Sequence, residues 1–275
     1  MIDKMYYKYY FFVACLWLCL SCENQTNKTN TTAEQKQTLD SGLAKKKDTP
    51  DYLLPKELRF EQFKEYYEQE NNQFILGGFY PIGWSKDHKF AYVIEPPDEA
   101  TGAYFFELRI QNMITDKVEW EFKYNTLADT LNTAEDLASV WKLKRRLFEQ
   151  KLKEYQIVQS NDHPLKAFPI RAQGFTLTTQ LETTIVSKEK SKFGFAYING
   201  IDFSATSDAG RKYPLYTKKY KESFLTSIQE LGYLKSPNGP QTAIILGGIQ
   251  RGWEGPPHLI KYTIVGCSLK KELWK

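Results

Sequence analysis

Three stretches of the chain, one after another, alternate apolar with polar residues. They cover residues 90–94, 104–110 and 118–124, with apolar residues at Phe90, Tyr92, Ile94, Tyr104, Phe106, Leu108, Ile110, Val118, Trp120, Phe122 and Tyr124. A period of two directs these side chains to one face, so each stretch predicts a strand with one buried face. Because residues 113–117 are few enough for a hairpin connection, the three strands are predicted to form an antiparallel meander with one face in water.

A single amphipathic helix is predicted over residues 134–155. Thr133 and Asp136 have the spacing of a capping box at its start. Apolar residues at helical spacing form one stripe, which consists of Leu137, Val140, Trp141, Leu147, Phe148, Leu152 and Tyr155. The opposite face carries Lys142, Arg145, Arg146, Glu149 and Lys153. We interpret this face as solvated, with ion pairs four residues apart; the alternative is a basic face for anionic lipid or a partner.

Further strands are predicted after Pro169, over residues 175–186, 193–198, 242–249 and 259–265. Glycines and prolines between residues 252 and 257 indicate a turn between the last two strands. The predicted fold class is therefore α+β, a mainly antiparallel sheet of meander or sandwich type with one long amphipathic helix. Because no period of roughly 20–50 residues recurs, a solenoid or a complete propeller is disfavoured.

The first 55 residues differ from the rest of the chain. Lys4 and Lys8 precede an uncharged run, Tyr9–Leu20, in the order of an export signal. As a helix this run reaches roughly 18 Å, which is too short for the ~30 Å hydrocarbon core of a bilayer. Residues 23–50 are mainly polar and cannot bury enough surface to fold. We therefore predict a signal peptide over 1–21, a disordered tether over 22–55, and one α+β globular domain over 56–275, with 156–173 as the place where it could divide into two subdomains.

The end of the uncharged run resembles the lipobox of bacterial lipoproteins. Leu18, Leu20 and Ser21 precede Cys22, the position at which members of that class are cleaved and acylated. The resemblance implies that Cys22 carries a lipid such as palmitate. It also implies a location in the cell envelope, on the periplasmic or surface face of a bacterial membrane. Cys19 stands where a leucine is more usual, so cleavage by an ordinary signal peptidase is the alternative.

Two further segments carry a family resemblance. Residues 83–92 read Gly-Trp-Ser-Lys-Asp-His-Lys-Phe-Ala-Tyr and look like the W-S-x-D-G-K box of TolB-like propeller blades, with His88 in place of the glycine. The box occurs once, and one box does not make a propeller. Together with Arg-Gly-Trp-Glu-Gly-Pro-Pro at 251–257, it is more similar to a family of predicted secreted bacterial proteins of unknown function. That resemblance implies an exported domain and supplies no catalytic residues.

The sequence contains no motif for a metal or a cofactor. Its three histidines lie outside any zinc-binding spacing, and no phosphate-binding or dinucleotide-binding glycine pattern occurs. A net charge of +4 over 275 residues does not favour a nucleic-acid partner. Cys267 is predicted to be a lone buried thiol. Loop carboxylates are the remaining candidates for hydrolysis, namely Glu95, Asp98, Glu99 and Glu254. The loop Glu95–Glu99 is also a candidate calcium site.

Aromatic residues make up 15% of the chain, and those in predicted turns or on uncertain faces are candidates for ligand binding. A stacking platform for sugar or peptide is one interpretation, and core packing is the other, for Tyr80, Tyr213, Tyr216, Tyr220 and Trp253. The predicted turn at 251–257 also brings Arg251, Trp253 and Glu254 close together, a combination suited to recognition. The alternative is that Trp253 packs over the sheet edge while Arg251 and Glu254 form a local pair.

These observations predict a membrane-anchored envelope lipoprotein that acts without catalysis as a binding module for a protein or a glycan. The prediction depends on the anchor, the tether and the lack of a catalytic set. The alternative is a carboxylate-dependent, glycosidase-like hydrolase of envelope or extracellular polymer. Two loop carboxylates within roughly 10 Å of each other across a cleft would favour this alternative.

Overall fold

Thirteen strands in three sheets make up most of the described part of the chain. The computed structural model describes residues 53–67, 73–128, 134–172 and 174–274. In chain order the strands are β1 (Phe74–Leu76), β2 (Gly78–Trp84), β3 (Lys89–Glu95), β4 (Phe105–Asn112), β5 (Lys117–Asn125), β6 (Val158–Gln159), β7 (Ile170–Ala172), β8 (Phe175–Val186), β9 (Tyr197–Ser207), β10 (Lys212–Lys219), β11 (Leu225–Lys235), β12 (Gln241–Gly252) and β13 (Gly255–Ser268). The helices are α1 (Lys64–Tyr67), α2 (Leu137–Glu154) and the 3-10 helices Glu61–Phe63 and Lys271–Leu273. The predicted signal peptide, Cys22 and most of the predicted tether lie outside the described residues.

The predicted meander is confirmed as part of a five-stranded sheet with the order β5-β4-β3-β2-β6. β3 pairs antiparallel with β4, and β4 pairs antiparallel with β5. Along β4, Leu108 is buried and its neighbour Arg109 lies on the other face, where its Nε donates to Glu121 Oε1 at 2.7 Å. β3 is instead buried on both faces, because Phe90 packs against residues of β11–β13 and Val93 packs against residues of α2.

Helix α2 covers one face of this sheet and is shorter than predicted. It begins at Leu137, three residues later, because Asp136 is its N-cap and accepts a hydrogen bond from the Ser139 backbone N–H at 2.7 Å. It ends at Glu154, so the expectation of one long helix over 134–155 is not confirmed. The residues of the predicted stripe that it buries are Leu137, Val140, Trp141, Phe148 and Leu152. In the described part of the chain, no helix combines the length and apolar character needed to cross a bilayer.

Two four-stranded sheets complete the fold, with the orders β1-β13-β12-β11 and β10-β9-β8-β7. Their pairs are antiparallel, apart from the parallel pair of β1 and β13. The strand predicted over 175–186 is confirmed as β8. The strand predicted over 193–198 is wrong for residues 193–196, which lie in the connection from β8 to β9, because β9 begins at Tyr197. The two sheets share a core in which Phe203 of β9 lies with Ile244 of β12 and Val265 of β13.

The segment that resembles the W-S-x-D-G-K box forms the hairpin between β2 and β3. Ser85 is 1% exposed, and its Oγ accepts a hydrogen bond from the Lys89 backbone N–H at 2.9 Å. Gly83 lies against β6 so closely that a Cβ would overlap the Val158 carbonyl oxygen. His88, which replaces the glycine of the box, has φ +78°, in the left-handed region that favours glycine. The box is therefore explained here by hairpin geometry.

The segment at which two subdomains were predicted to divide, 156–173, connects two of the sheets. β6 pairs with β2 in the five-stranded sheet, and β7 pairs with β8 in another. Between them, Lys166 and Tyr233 exchange two backbone hydrogen bonds of 2.9 Å. The division into subdomains stays a prediction.

Candidate functional site

The tip of the hairpin between β12 and β13 carries the most exposed large apolar side chain of the described residues. Gly252 pairs with Gly255, which leaves Trp253 and Glu254 as the two turn residues. Trp253 is 77% exposed. The tip differs from the predicted turn in two respects. Only Gly255 of the two glycines has a positive φ, +120°, and the prolines 256 and 257 belong to β13 instead of a loop.

Contacts on two sides hold Trp253 in place at the surface. Its backbone N–H donates to Glu99 Oε1 at 3.0 Å. Its ring stacks on Phe224 with a centroid distance of 5.7 Å and an interplanar angle of 25°. The guanidinium of Arg251 lies 4.7 Å from the centroid of the Phe195 ring, a cation–π contact. Exposure combined with fixed geometry is typical of a binding residue more than of a packing residue.

Four aromatic rings from three connections form a continuous group, which we call the aromatic patch: Phe193, Phe195, Phe224 and Trp253. Phe193 lies 4.9 Å from Phe224 and 5.8 Å from Phe195, centroid to centroid. Phe195 lies 5.6 Å from Phe224, which in turn contacts Trp253. The three phenylalanines are half-buried, so the patch has an apolar base with the indole standing out of it.

Polar contacts join the connections that carry the aromatic patch. The Arg251 backbone N–H donates to the Phe224 carbonyl at 2.8 Å, which fixes the hairpin tip against the β10–β11 connection. Lys192 and Glu222 form an ion pair of 2.6 Å between the β8–β9 and β10–β11 connections. The bond from Trp253 to Glu99 adds the connection between β3 and β4. These contacts hold the connections of the aromatic patch against one another.

A cavity of about 340 Å³ opens beside Trp253. Its walls combine the indole with two carboxylates and two prolines, from Trp253, Glu99, Glu254, Pro256 and Pro257. The structure thus brings together two of the four predicted loop carboxylates, Glu99 and Glu254. A cavity with an aromatic wall and hydrogen-bond acceptors can hold a ligand that has an apolar face and hydroxyl or ammonium donors.

The other two predicted carboxylates are occupied elsewhere. Glu95 accepts hydrogen bonds from the hydroxyls of Tyr80 at 2.5 Å and Tyr104 at 2.6 Å. Asp98 accepts from the backbone N–H and the hydroxyl of Thr101, both at 2.8 Å, which closes its loop. Within the described residues, no group of three or more His, Cys, Asp or Glu side chains could hold a metal ion.

The predicted tyrosines do not join Trp253 in a platform. Tyr80 bonds Glu95, and Tyr213 packs against Trp274 with a centroid distance of 5.4 Å. Tyr216 and Tyr220 lie in or next to β10.

Three residues of the aromatic patch were not predicted as site residues. Phe224 was not singled out, and Phe193 and Phe195 were assigned to a strand. Phe-Gly-Phe lies within a lysine-rich segment of the sequence. This pattern could have indicated a surface patch, because apolar side chains in such a connection are expected to lie at the surface.

Two other sequence hypotheses have a structural answer. Cys267 is 2% exposed, as predicted, and burial raises the pKa of its thiol to about 12. On the solvent face of α2, Arg145 Nε lies 2.7 Å from Glu149 Oε1, as expected of a solvated face with internal ion pairs.

No protein-family model, curated protein or solved structure matches the chain. The family resemblance and the lipobox therefore stay predictions.

Proposed function

We propose that this chain is a membrane-anchored envelope lipoprotein that binds a glycan, without catalysis, in the cavity beside Trp253. The observation that carries the proposal is an indole that is 77% exposed yet held by a backbone hydrogen bond and a ring stack. The indole also belongs to the contiguous aromatic patch, and contiguous exposed apolar patches are typical of binding sites, whereas single exposed side chains are not.

The composition of the cavity favours a sugar ring. A pyranose has an apolar face that can stack on the free side of the indole, and its hydroxyls can donate to the carboxylates of Glu99 and Glu254. Pro256 and Pro257 add a rigid apolar wall, so little conformational entropy is lost on binding. A protein partner is the alternative occupant, and it would need a larger surface than this cavity.

We expect Trp253→Ala to weaken glycan binding by at least about ten-fold while leaving the thermal midpoint within a few degrees of the wild type. Affinity gel electrophoresis with a soluble β-glucan, a xylan and a mannan measures the binding. The matched control is Ile185→Ala, which removes a side chain that is 60% exposed outside the cavity. Equal binding by wild type and Trp253→Ala, or a large drop in its midpoint, would contradict the proposal.

One observation favours the hydrolase as a second candidate: Glu99 and Glu254 line the same cavity. The same polysaccharide incubations distinguish the two functions. Formation of new reducing ends by the wild type, and their absence with Glu254→Gln, would identify a hydrolase. Binding without new reducing ends supports the binding module.

Anchoring is tested separately, at Cys22. Because acyl chains would supply membrane binding that the short apolar run does not, we expect Cys22→Ala to release the protein from the membrane fraction or to leave an unprocessed precursor. Metabolic labelling with a fatty-acid analogue, followed by fractionation, measures both. Label that is unchanged in the variant would exclude Cys22 as the acylated residue.

A further inference from the structure

A second cavity lies at the end of the β12–β13 hairpin far from Trp253. Its volume is about 670 Å³, large enough for a small-molecule ligand. Gln241, the first residue of β12, lines it, and the last residue of that strand is Gly252. A strand of 12 residues spans roughly 40 Å, so the two cavities are separate sites.

The walls of this cavity are positively charged. They include the three lysines Lys235, Lys270 and Lys271, and no aspartate or glutamate is among the described residues that line it. We call it the lysine cavity. Lys235 ends β11, whereas Lys270 and Lys271 follow β13, so elements distant in sequence bring the three lysines to one cavity.

The charge of Lys235 is held at the cavity without a carboxylate partner in the described chain. Its side chain is half-buried, and its Nζ donates to the Arg171 carbonyl at 2.5 Å. Burial lowers the pKa of Lys235, and the nearby charge of Lys166 lowers it further. An anion bound in the cavity would raise the pKa of Lys235 again, because a nearby opposite charge favours the ammonium form.

An unused hydrogen-bond donor provides an independent observation. Gln241 is 1% exposed, and its amide Nε2 has no hydrogen-bond partner among the residues that the structure describes. Buried amide groups are nearly always paired, so an orphan beside a cavity indicates a group that the ligand can satisfy. Ser236, which is 9% exposed, adds a hydroxyl to the same wall.

We propose that the lysine cavity binds a phosphate group. Lysine binds phosphate as a point charge, and phosphate oxygens can accept from three ammonium groups and from amide and hydroxyl donors at once. The phosphate could come from a soluble phosphorylated molecule or from an anionic phospholipid headgroup. The proposal is independent of glycan binding, because the two cavities share no residue.

Calorimetric titration of the full chain in detergent tests the proposal with two probes. Inorganic phosphate represents the soluble source, and glycerophosphoglycerol represents the headgroup. We expect saturable binding of at least one probe, weakened about ten-fold or more in the double variant Lys270→Ala, Lys271→Ala. The control is the double variant Lys218→Ala, Lys219→Ala, which removes the same charge from an exposed pair outside the cavity and should bind as the wild type does.

Each outcome is decisive. Binding of phosphate, or of glycerophosphoglycerol alone, that is lost only in the cavity variant supports the site and identifies its source. No saturable binding by the wild type, or equal losses in both double variants, would overturn the proposal. Because Gln241→Leu removes the orphan donor without changing charge, it should also weaken binding, and unchanged binding in that variant would count against the site.

Discussion

Replacement of Phe148 by alanine is expected to lower the free energy of unfolding by about 3–5 kcal/mol. Phe148 is 0% exposed, and its ring is stacked on Phe106 at a centroid distance of 5.7 Å and an angle of 11°. Phe122 and Trp141 lie at 5.1 Å and 5.2 Å, so truncation would leave a void between helix and sheet. Chemical denaturation followed by circular dichroism measures the change.

The matched control is Arg146→Ala on the same helix. Arg146 is exposed, so its loss should cost under about 0.5 kcal/mol. The pair of variants separates the buried stripe of α2 from its solvent face. An arginine variant less stable than the phenylalanine variant would mean that the basic face of α2 makes the important contact, and a partner for that face would regain support.

The meander could be predicted because its pattern is local. In β4, Leu108 faces the core and Arg109 faces the opposite side, so apolar and polar residues alternate along the sequence. The period-two rule fails for β3, because both faces of this strand are buried. A second sheet covers Phe90 and a helix covers Val93. The sequence of a single strand does not indicate how many layers cover it.

The aromatic patch could be predicted only in part, for a different physical reason. Trp253 was found because Gly252 and Gly255 around it indicate a tight turn. The other rings, Phe195 and Phe224, lie in separate connections that only the tertiary fold brings to the hairpin tip. The tyrosines were candidates because they lie in predicted turns or on uncertain faces, yet the hydroxyl of Tyr80 donates to Glu95.

The lysine cavity had no sequence signal at all. Lys235 and Lys270 are 35 residues apart and look like ordinary surface charges in the sequence. Within the described part of the chain, the cavity that they share is lined by no carboxylate, and the amide of Gln241 in its wall is unpaired. Both features depend on tertiary structure.

Gly252→Ala is expected to lower the free energy of unfolding by about 3 kcal/mol and the thermal midpoint by roughly 6–12 °C. A Cβ at Gly252 would overlap the carbonyl oxygens of Gly255 and Pro257, which are backbone atoms that cannot rotate away. The tip would have to open, and Trp253 would lose its place beside Glu99, so glycan binding should fall as well. Calorimetry measures the midpoint, and affinity electrophoresis measures glycan binding.

The control is Gly210→Ala, where a Cβ meets nothing within 4 Å. Its cost, about 1 kcal/mol in the free energy of unfolding, comes only from the φ of +84° at Gly210. Equal midpoints for the two variants would show that the hairpin tip relaxes around the new side chain and that Gly252 does not fix the position of Trp253.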